Sequence, residues 1–434
     1  MKKRIVISVL ALLAGISGIR AQEVLTLQQC YQKALEHSPL ASELQSLQEI
    51  RNLKDRNLAA GWYPTLDAGG SFVYNTTVVD LSSTLGSLPI PGIGDKLEAL
   101  PHEQYRVTLE LNQMIWDGGA VKCAKALESA DLQVNAKLLD AELYKLRGQV
   151  NQYYFSILLL DRQKDLLLTC LDLIDEHIRT VGSARAEGAA LKTDLDRLRG
   201  EQVKLLQQLR ENRISRGANL RMLSEITGTP ADTTAELALP IFEIAGQPEL
   251  NRPELQVFDL KNEQLNASLE MIQSRRMPRA FVFATAGMGN PPGNDFFSNE
   301  FAPYGVAGVG IKWNIFDWNK AEHEKRIVLL QKEMLQGRKA DLAAALIRQL
   351  EAKRAEIEGI EALLKTDNEL IALRTTIAAT TLSQYRNGTI TLAEYLKDLQ
   401  AEQEAMLTRE LHRISLARAK TEYLTIAGQD LHSN

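Results

Sequence analysis

The chain has 434 residues, 45% of them hydrophobic and 24% charged, with a formal net charge of −5. That length admits two or three ordinary domains, and the acidic balance disfavours nucleic acid as a partner. Three scattered cysteines, Cys30, Cys123 and Cys170, are too few for a disulfide framework or a zinc site and read as buried single thiols.

In chain order, residues 1–21 read as a secretory signal peptide: Lys2, Lys3 and Arg4 precede an apolar run from Ile5 to Ile19, and Ala21 stands before Gln22. The run is about 15 residues, short of the roughly 20 a membrane-spanning helix needs, so no transmembrane helix is expected. Cleavage removes four of the 50 Lys and Arg residues, leaving 46 against 55 acidic groups, a net charge near −9. No small residues flank Cys30, which argues against a lipid anchor there.

Beyond the signal the chain repeats itself. Pro39 and Pro253 are 214 residues apart, as are Pro64 and Pro278, and each pair brackets a helical stretch. Asp117 and Asp317 lie 200 apart, after Met114-Ile115-Trp116 and Asn314-Ile315-Phe316, and Gly188 with Gly388 and Gly228 with Gly428 keep that offset. The first repeat, 22–228, is expected to hold a helix over 26–62, strands over about 65–75 and 104–114, a long helix over 119–187 and a return helix over 192–227. An equatorial linker, 229–252, carries Pro230, Pro240 and Pro248. The second repeat, 253–434, would hold a helix over 253–277, strands over about 280–287 and 304–314, a long helix over 319–386 and a return helix over 392–427.

Strand character is clearest at Tyr105, Val107, Leu109 and Leu111, which alternate with Arg106, Thr108, Glu110 and Asn112. The apolar set is expected to face lipid and the polar set a lumen. The connections contain breaker runs, Leu88-Pro89-Ile90-Pro91-Gly92 and Asn290-Pro291-Pro292-Gly293-Asn294. In the long helix, leucine-type residues from Leu139 through Val150 and Ile157 to Ile174 and Val181 recur every three or four positions, a coiled-coil seam broken only at Lys164. Its 69 positions would span roughly 100 Å. Helices 192–227 and 253–277, end to end, are expected to run back beside it, and 392–427 with 26–62 beside the second long helix.

Candidate chemistry is sparse. Asp117 and Asp317 stand where strand turns to helix and read as N-caps rather than catalytic acids. The six histidines show no metal-ligand spacing, and the glycines near Gly287 do not form a nucleotide loop. No catalytic residue, metal or cofactor is expected. Four strands cannot close a barrel, but four from each of three chains would give twelve, closing a membrane barrel whose edges are all paired.

Several motifs carry a family resemblance over nearly the whole mature chain. Leu25-Thr26-Leu27-Gln28-Gln29-Cys30 with Pro39, Trp62-Tyr63-Pro64, Ile115-Trp116-Asp117-Gly118-Gly119, Arg252-Pro253-Glu254-Leu255 and Ile315-Phe316-Asp317-Trp318 resemble the TolC-like outer-membrane efflux proteins. The resemblance implies a mainly α fold with a membrane β-barrel: a homotrimer with a 12-stranded barrel in outer-membrane lipid and a 12-helix periplasmic tunnel. It implies export of drugs, toxins or proteins with a periplasmic adaptor (a membrane fusion protein) and an inner-membrane transporter. A soluble periplasmic coiled-coil scaffold and an efflux adaptor are the competing readings. The resemblance also implies a closed tip at Gly188 and Gly388, with a tyrosine three residues before the second glycine, an arginine two after it, and acidic residues six after each glycine. Tyr385, Asp194 and Glu394 occupy those places, but Ile390 stands at the arginine position, leaving a Tyr385 hydroxyl to Asp194 bond as the expected link. A Glu394 ring of three would favour cations.

Overall fold

Thr26 opens the first helix with a capping box: its hydroxyl takes the amide of Gln29, and the Gln29 side chain takes the amide of Thr26 at 2.8 Å. This helix, α1 (Leu27–His37), ends because Ser38 precedes a proline and is extended, and a 3-10 turn, Pro39–Ser42, leads into α2 (Glu43–Ala60). The continuous helix expected over 26–62 is therefore two helices. After β1 (Thr65–Tyr74) and β2 (Glu103–Trp116) come α3 (Ala120–Tyr144), α4 (Leu146–Ala186) and α5 (Lys192–Thr227). Between α3 and α4 the expected long helix breaks at one residue, Lys145, which keeps helical torsions of −64° and −24°. The second half of the chain holds α6 (Pro253–Ser274), β3 (Arg279–Asn290), β4 (Ala302–Lys312), α7 (Lys320–Arg386) and α8 (Leu392–Ala427).

The structure, a computed structural model, describes residues 24–80, 99–188, 191–230, 236–244, 246, 248–295 and 298–430. The signal peptide expected at 1–21 and the breaker run at 88–92 lie outside the described residues. The fold is mainly helical, and no helix among those residues is long and apolar enough to cross a membrane. Two compact units are built from interleaved segments.

The first unit comprises Met1–Leu44, Lys137–Gln256 and Lys339–Asn434. Its largest apolar cluster joins Cys30, Tyr31 and Ala34 of α1 to Val150, Tyr154, Phe155 and Ile157 of α4, with Leu220 and Leu223 of α5 and Ile414 of α8. Tyr154 is fully buried, and its hydroxyl lies within hydrogen-bond reach of the carbonyls of Ala238 (2.6 Å) and Leu25 (2.9 Å). Leu25 also forms a parallel bridge with Leu237, so part of the proline-rich linker is tied to the residues just before α1. All three cysteines are free, and burial pushes the Cys30 thiol up to about 12 and that of Cys170 to about 11. Ion pairs link α7 to α8, Lys353 with Glu422 at 2.7 Å and Lys420 with Glu361 at 2.9 Å, and His412 Nδ1 lies 2.5 Å from the Asp367 carboxylate.

The second unit, Gln45–Ala136 and Val257–Arg338, contains the sheet. Its strand order is β1-β2-β3-β4, every neighbour antiparallel, so β1 and β4 are edges. Pairing of β2 with β3 unites strands from the two halves of the chain, with a bulge between Met114 and Trp116.

Candidate functional site

Register assigns each side chain of the sheet to a face. Leu66, Ala68, Gly70 and Phe72 of β1 stand opposite Leu111, Leu109, Val107 and Tyr105 of β2. Through β2 this row continues to Ala284, Ala286 and Met288, and then to Ala307 and Gly305 on β4. All of these are apolar or glycine, and they form an apolar band across the sheet that turns polar at its ends, where Tyr105 meets Asn290 and Gln113 follows Leu111. Tyr105, Val107, Leu109 and Leu111 are exposed, Leu109 at 51%. An apolar sheet face left open to this extent costs free energy in water and none in hydrocarbon.

The opposite face is polar on β1 and β2. Arg106 donates from Nε to Ser71 Oγ at 3.1 Å, and Thr108 donates to Glu110 Oε1 at 3.3 Å. With Thr285 and Tyr304 they line a hollow of about 420 Å³. Thr108 is only 7% exposed, seated beside Gly69 and Gly287, so this face is more crowded there than alternation alone implies. On β3 the same face carries Phe281 and Phe283, whose rings lie across Gly310 and Gly308 so closely that a Cβ at either glycine would sit 2.5 or 2.7 Å from a ring carbon. Aromatics on the polar face explain why alternation is weak in β3 and β4.

All four tryptophans gather where strands meet helices: Trp62, Trp116, Trp313 and Trp318, each exposed. Trp313 donates its indole N–H to the Arg276 carbonyl at 3.0 Å, and Trp318 packs edge-on to Phe316. At the other end of the strands Tyr74 stacks on His102 and Tyr105 on Phe301.

At the strand-to-helix junctions, Asp117 accepts the amides of Gly119 (2.9 Å) and Val121 (2.6 Å), and Asp317 accepts that of Ala321 (3.0 Å). Both junctions turn through two left-handed residues, Gly118-Gly119 in one and Trp318-Asn319 in the other. Glycine is required at 118 for a second reason, since a Cβ there would lie 2.5 Å from Met277 Cβ.

In the first unit, α4 turns into α5 at Gly188 and α7 into α8 at Gly388, with φ of +81° and +69°. Nothing crowds either glycine, so the left-handed backbone alone selects it. Asp194 lies in the first turn of α5. Tyr385 is held up in pKa by burial and then by the charge of Asp194, yet among the described residues no hydrogen bond joins them. Instead Tyr385 stacks on Tyr395 of α8, rings 6.0 Å apart and 8° from parallel. Glu394 completes a capping box with Thr391: its carboxylate takes the Thr391 amide at 2.8 Å, which holds its pKa low. Ile390 packs on the apolar cluster of this end.

Sequence reasoning leaves His177 as a surface or packing histidine and gives Tyr395 no role. His177, on α4, is buried with its Nε2 2.8 Å from the Tyr395 hydroxyl. The available signal was a histidine between Ile174 and Val181 on the seam, and a tyrosine in the run Leu392, Tyr395, Leu396, Leu399. No group of three or more potential metal ligands occurs among the described residues.

No protein-family model matches the chain, and no curated protein matches it in sequence. Solved structures do. It is similar to CusC, a protein that forms a transmembrane channel, at 13% identity and TM-score 0.67 over 93% of this chain and 92% of that one. It is similar to the outer membrane protein VceC of Vibrio cholerae at 12% identity and TM-score 0.64 over 94% and 97%. The open state of the MtrE outer membrane channel of Neisseria gonorrhoeae matches at 15% identity and TM-score 0.65 over 93% and 89%. At such identities it is the fold that is shared: over more than nine-tenths of its length the chain is folded like these outer-membrane channels.

Proposed function

We propose that three copies of this chain form an outer-membrane channel continued by a periplasmic helical tunnel, through which substrates are exported. The observation that carries this is the sheet: an apolar band across one face, two open edges, and aromatic residues at both ends of its strands. An open edge in hydrocarbon leaves peptide groups unpaired, and pairing β1 of one copy with β4 of the next removes both edges at twelve strands. From Tyr105 to Trp116 the strand covers about 35 Å, or about 25 Å of membrane at a tilt near 45°, the height of an outer-membrane apolar band. Arg106, Ser71 and Glu110 then face an aqueous lumen.

The turns at Gly188 and Gly388 form the periplasmic tip of the tunnel, where Asp194, Tyr385 and Glu394 narrow it. A periplasmic adaptor and an inner-membrane transporter load it from below; this part rests on the likeness to TolC-like channels. Fractionation tests the proposal. The protein is expected in outer-membrane vesicles, with a native mass of three chains in detergent. Recovery as a soluble periplasmic monomer would overturn it in favour of a scaffold.

A further inference from the structure

We propose that His177 and Tyr395 form a proton-sensitive latch between the two helical hairpins of the first unit, closed while His177 is neutral and loosened when it takes a proton.

The contact sits in an apolar cluster shared by four helices. Ile174 and Val181 come from α4, Leu195 and Leu198 from α5, Leu392, Leu396 and Leu399 from α8, and Leu382 of α7 packs against them. Inside it, His177 meets Tyr395 edge-on at 5.2 Å and shares a hydrogen bond with its hydroxyl. Tyr395 in turn stacks on Tyr385 of α7, which feels the charge of Asp194 on α5. One chain of contacts, His177 to Tyr395 to Tyr385, thus joins α4, α8 and α7 close to both turns, and the charge of Asp194 reaches it from α5.

The hydrogen bond does not by itself forbid an imidazolium, because a phenol can turn and accept from it. Burial does. A cation at His177 would lie among leucines, and among the described residues no carboxylate is hydrogen-bonded to it. The charged groups acting on it are Glu176 on its own helix, which favours the cation, and Arg386 on α7, which opposes it; Glu402 of α8 acts on Tyr395. Burial dominates and lowers the proton affinity of His177 below its ordinary value.

The sign follows from linkage. A loosened turn end exposes His177, which then binds a proton near pH 6.5, whereas the packed form binds one only at lower pH. The packed form is therefore fully favoured above about pH 6.5. Opening then gains up to about tenfold per pH unit as pH falls from there to the packed-state value.

Hydrogen exchange on the full-length protein in detergent, at pH 7.5 and 5.5 with exchange times scaled for intrinsic amide chemistry, tests the latch without requiring conduction. Wild-type amides in 174–181 and 392–399 are expected to exchange several-fold faster at pH 5.5, and His177→Gln, which keeps a polar partner but cannot titrate, should lose that response. An equal response in both proteins, or none in the wild type, would overturn the latch. Should His177→Gln fail to fold, Tyr395→Phe serves: it keeps the imidazole, so the pH response should persist from a faster rate at pH 7.5, and an unchanged rate there would remove Tyr395 from the latch. The consequence for conduction rests on the gate reading above. A reconstituted channel whose conductance ignores pH, while exchange responds, would overturn that gate and leave the latch standing.

Discussion

Glu394 occupies two roles that substitution can separate. As the third residue of a capping box it accepts from Thr391, and as an exposed carboxylate beside the turn it contributes negative charge. Its lowered pKa means that the ionised cap adds stability above the ordinary carboxylate range, and that this is lost as pH falls through the folded value. Glutamine also completes such a box. Glu394→Gln is thus expected to leave thermal stability nearly unchanged while lowering the cation preference of the reconstituted channel. Thr391→Ala, which removes the box itself, should cost about 1 kcal/mol of stability in a denaturant titration. At the facing turn, Asp194→Ala with Tyr385→Phe is expected to raise single-channel conductance. The charge of Asp194 acts on Tyr385 without a hydrogen bond joining them, so either single change should yield part of the effect.

At the scale of elements, the sheet makes the sharpest prediction. Leu109 lies mid-strand on the apolar face, and Glu110, its neighbour, is exposed on the other. Leu109→Arg is expected to cost about 2–4 kcal/mol at the bilayer midplane and to cut assembly. Glu110→Arg should assemble normally and alter ion selectivity instead. Thr108 is the poorer control, because its buried place beside Gly69 and Gly287 leaves no room for a long side chain. Equal assembly of the two arginine variants would show the face assignment to be wrong. The same strand shows what was legible and why. In β2 one face meets apolar surroundings and the other polar ones, so composition alternates with the backbone pleat. In β3 and β4 Phe281 and Phe283 fill the polar face by lying over glycines of the neighbouring strand, and that cross-strand pairing is invisible to a local pattern. Gly228 and Gly428 marked helix ends because a glycine after a periodic run readily takes left-handed backbone, and both have positive φ. The break after α1 was missed although Pro39 announces it, because the apolar pattern continues across. The partner of His177 was missed for a different reason: it lies 218 residues away.

At the scale of the whole molecule, the chain leaves apolar surface that it does not cover itself. In the first unit, Val203, Leu206 and Ile214 of α5 are exposed, and so are Leu363, Leu370, Leu373 and Ile377 of α7. Their spacings of three, four, seven and eight place them on helical stripes, as coiled-coil seams require. Isolated exposed leucines need no explanation, but two stripes on one chain are what a head-to-tail ring would close, each copy offering α5 to α7 of the next. Ile214 is 65% exposed and Leu373 63%, so each has most of its apolar surface still to bury. Burial of each would contribute about 1–2 kcal/mol per interface, and a ring of three has three such interfaces. Ile214→Asp or Leu373→Asp should therefore shift the native mass in detergent from three chains toward one while leaving helix content unchanged. Combining them should have no greater effect than their sum if the two side chains never meet across the interface, and a smaller one if they do. The exposed control Glu358→Gln, on the same helix, is expected to remain trimeric. A full trimer in all four proteins would mean that these stripes face something other than a second copy of the chain.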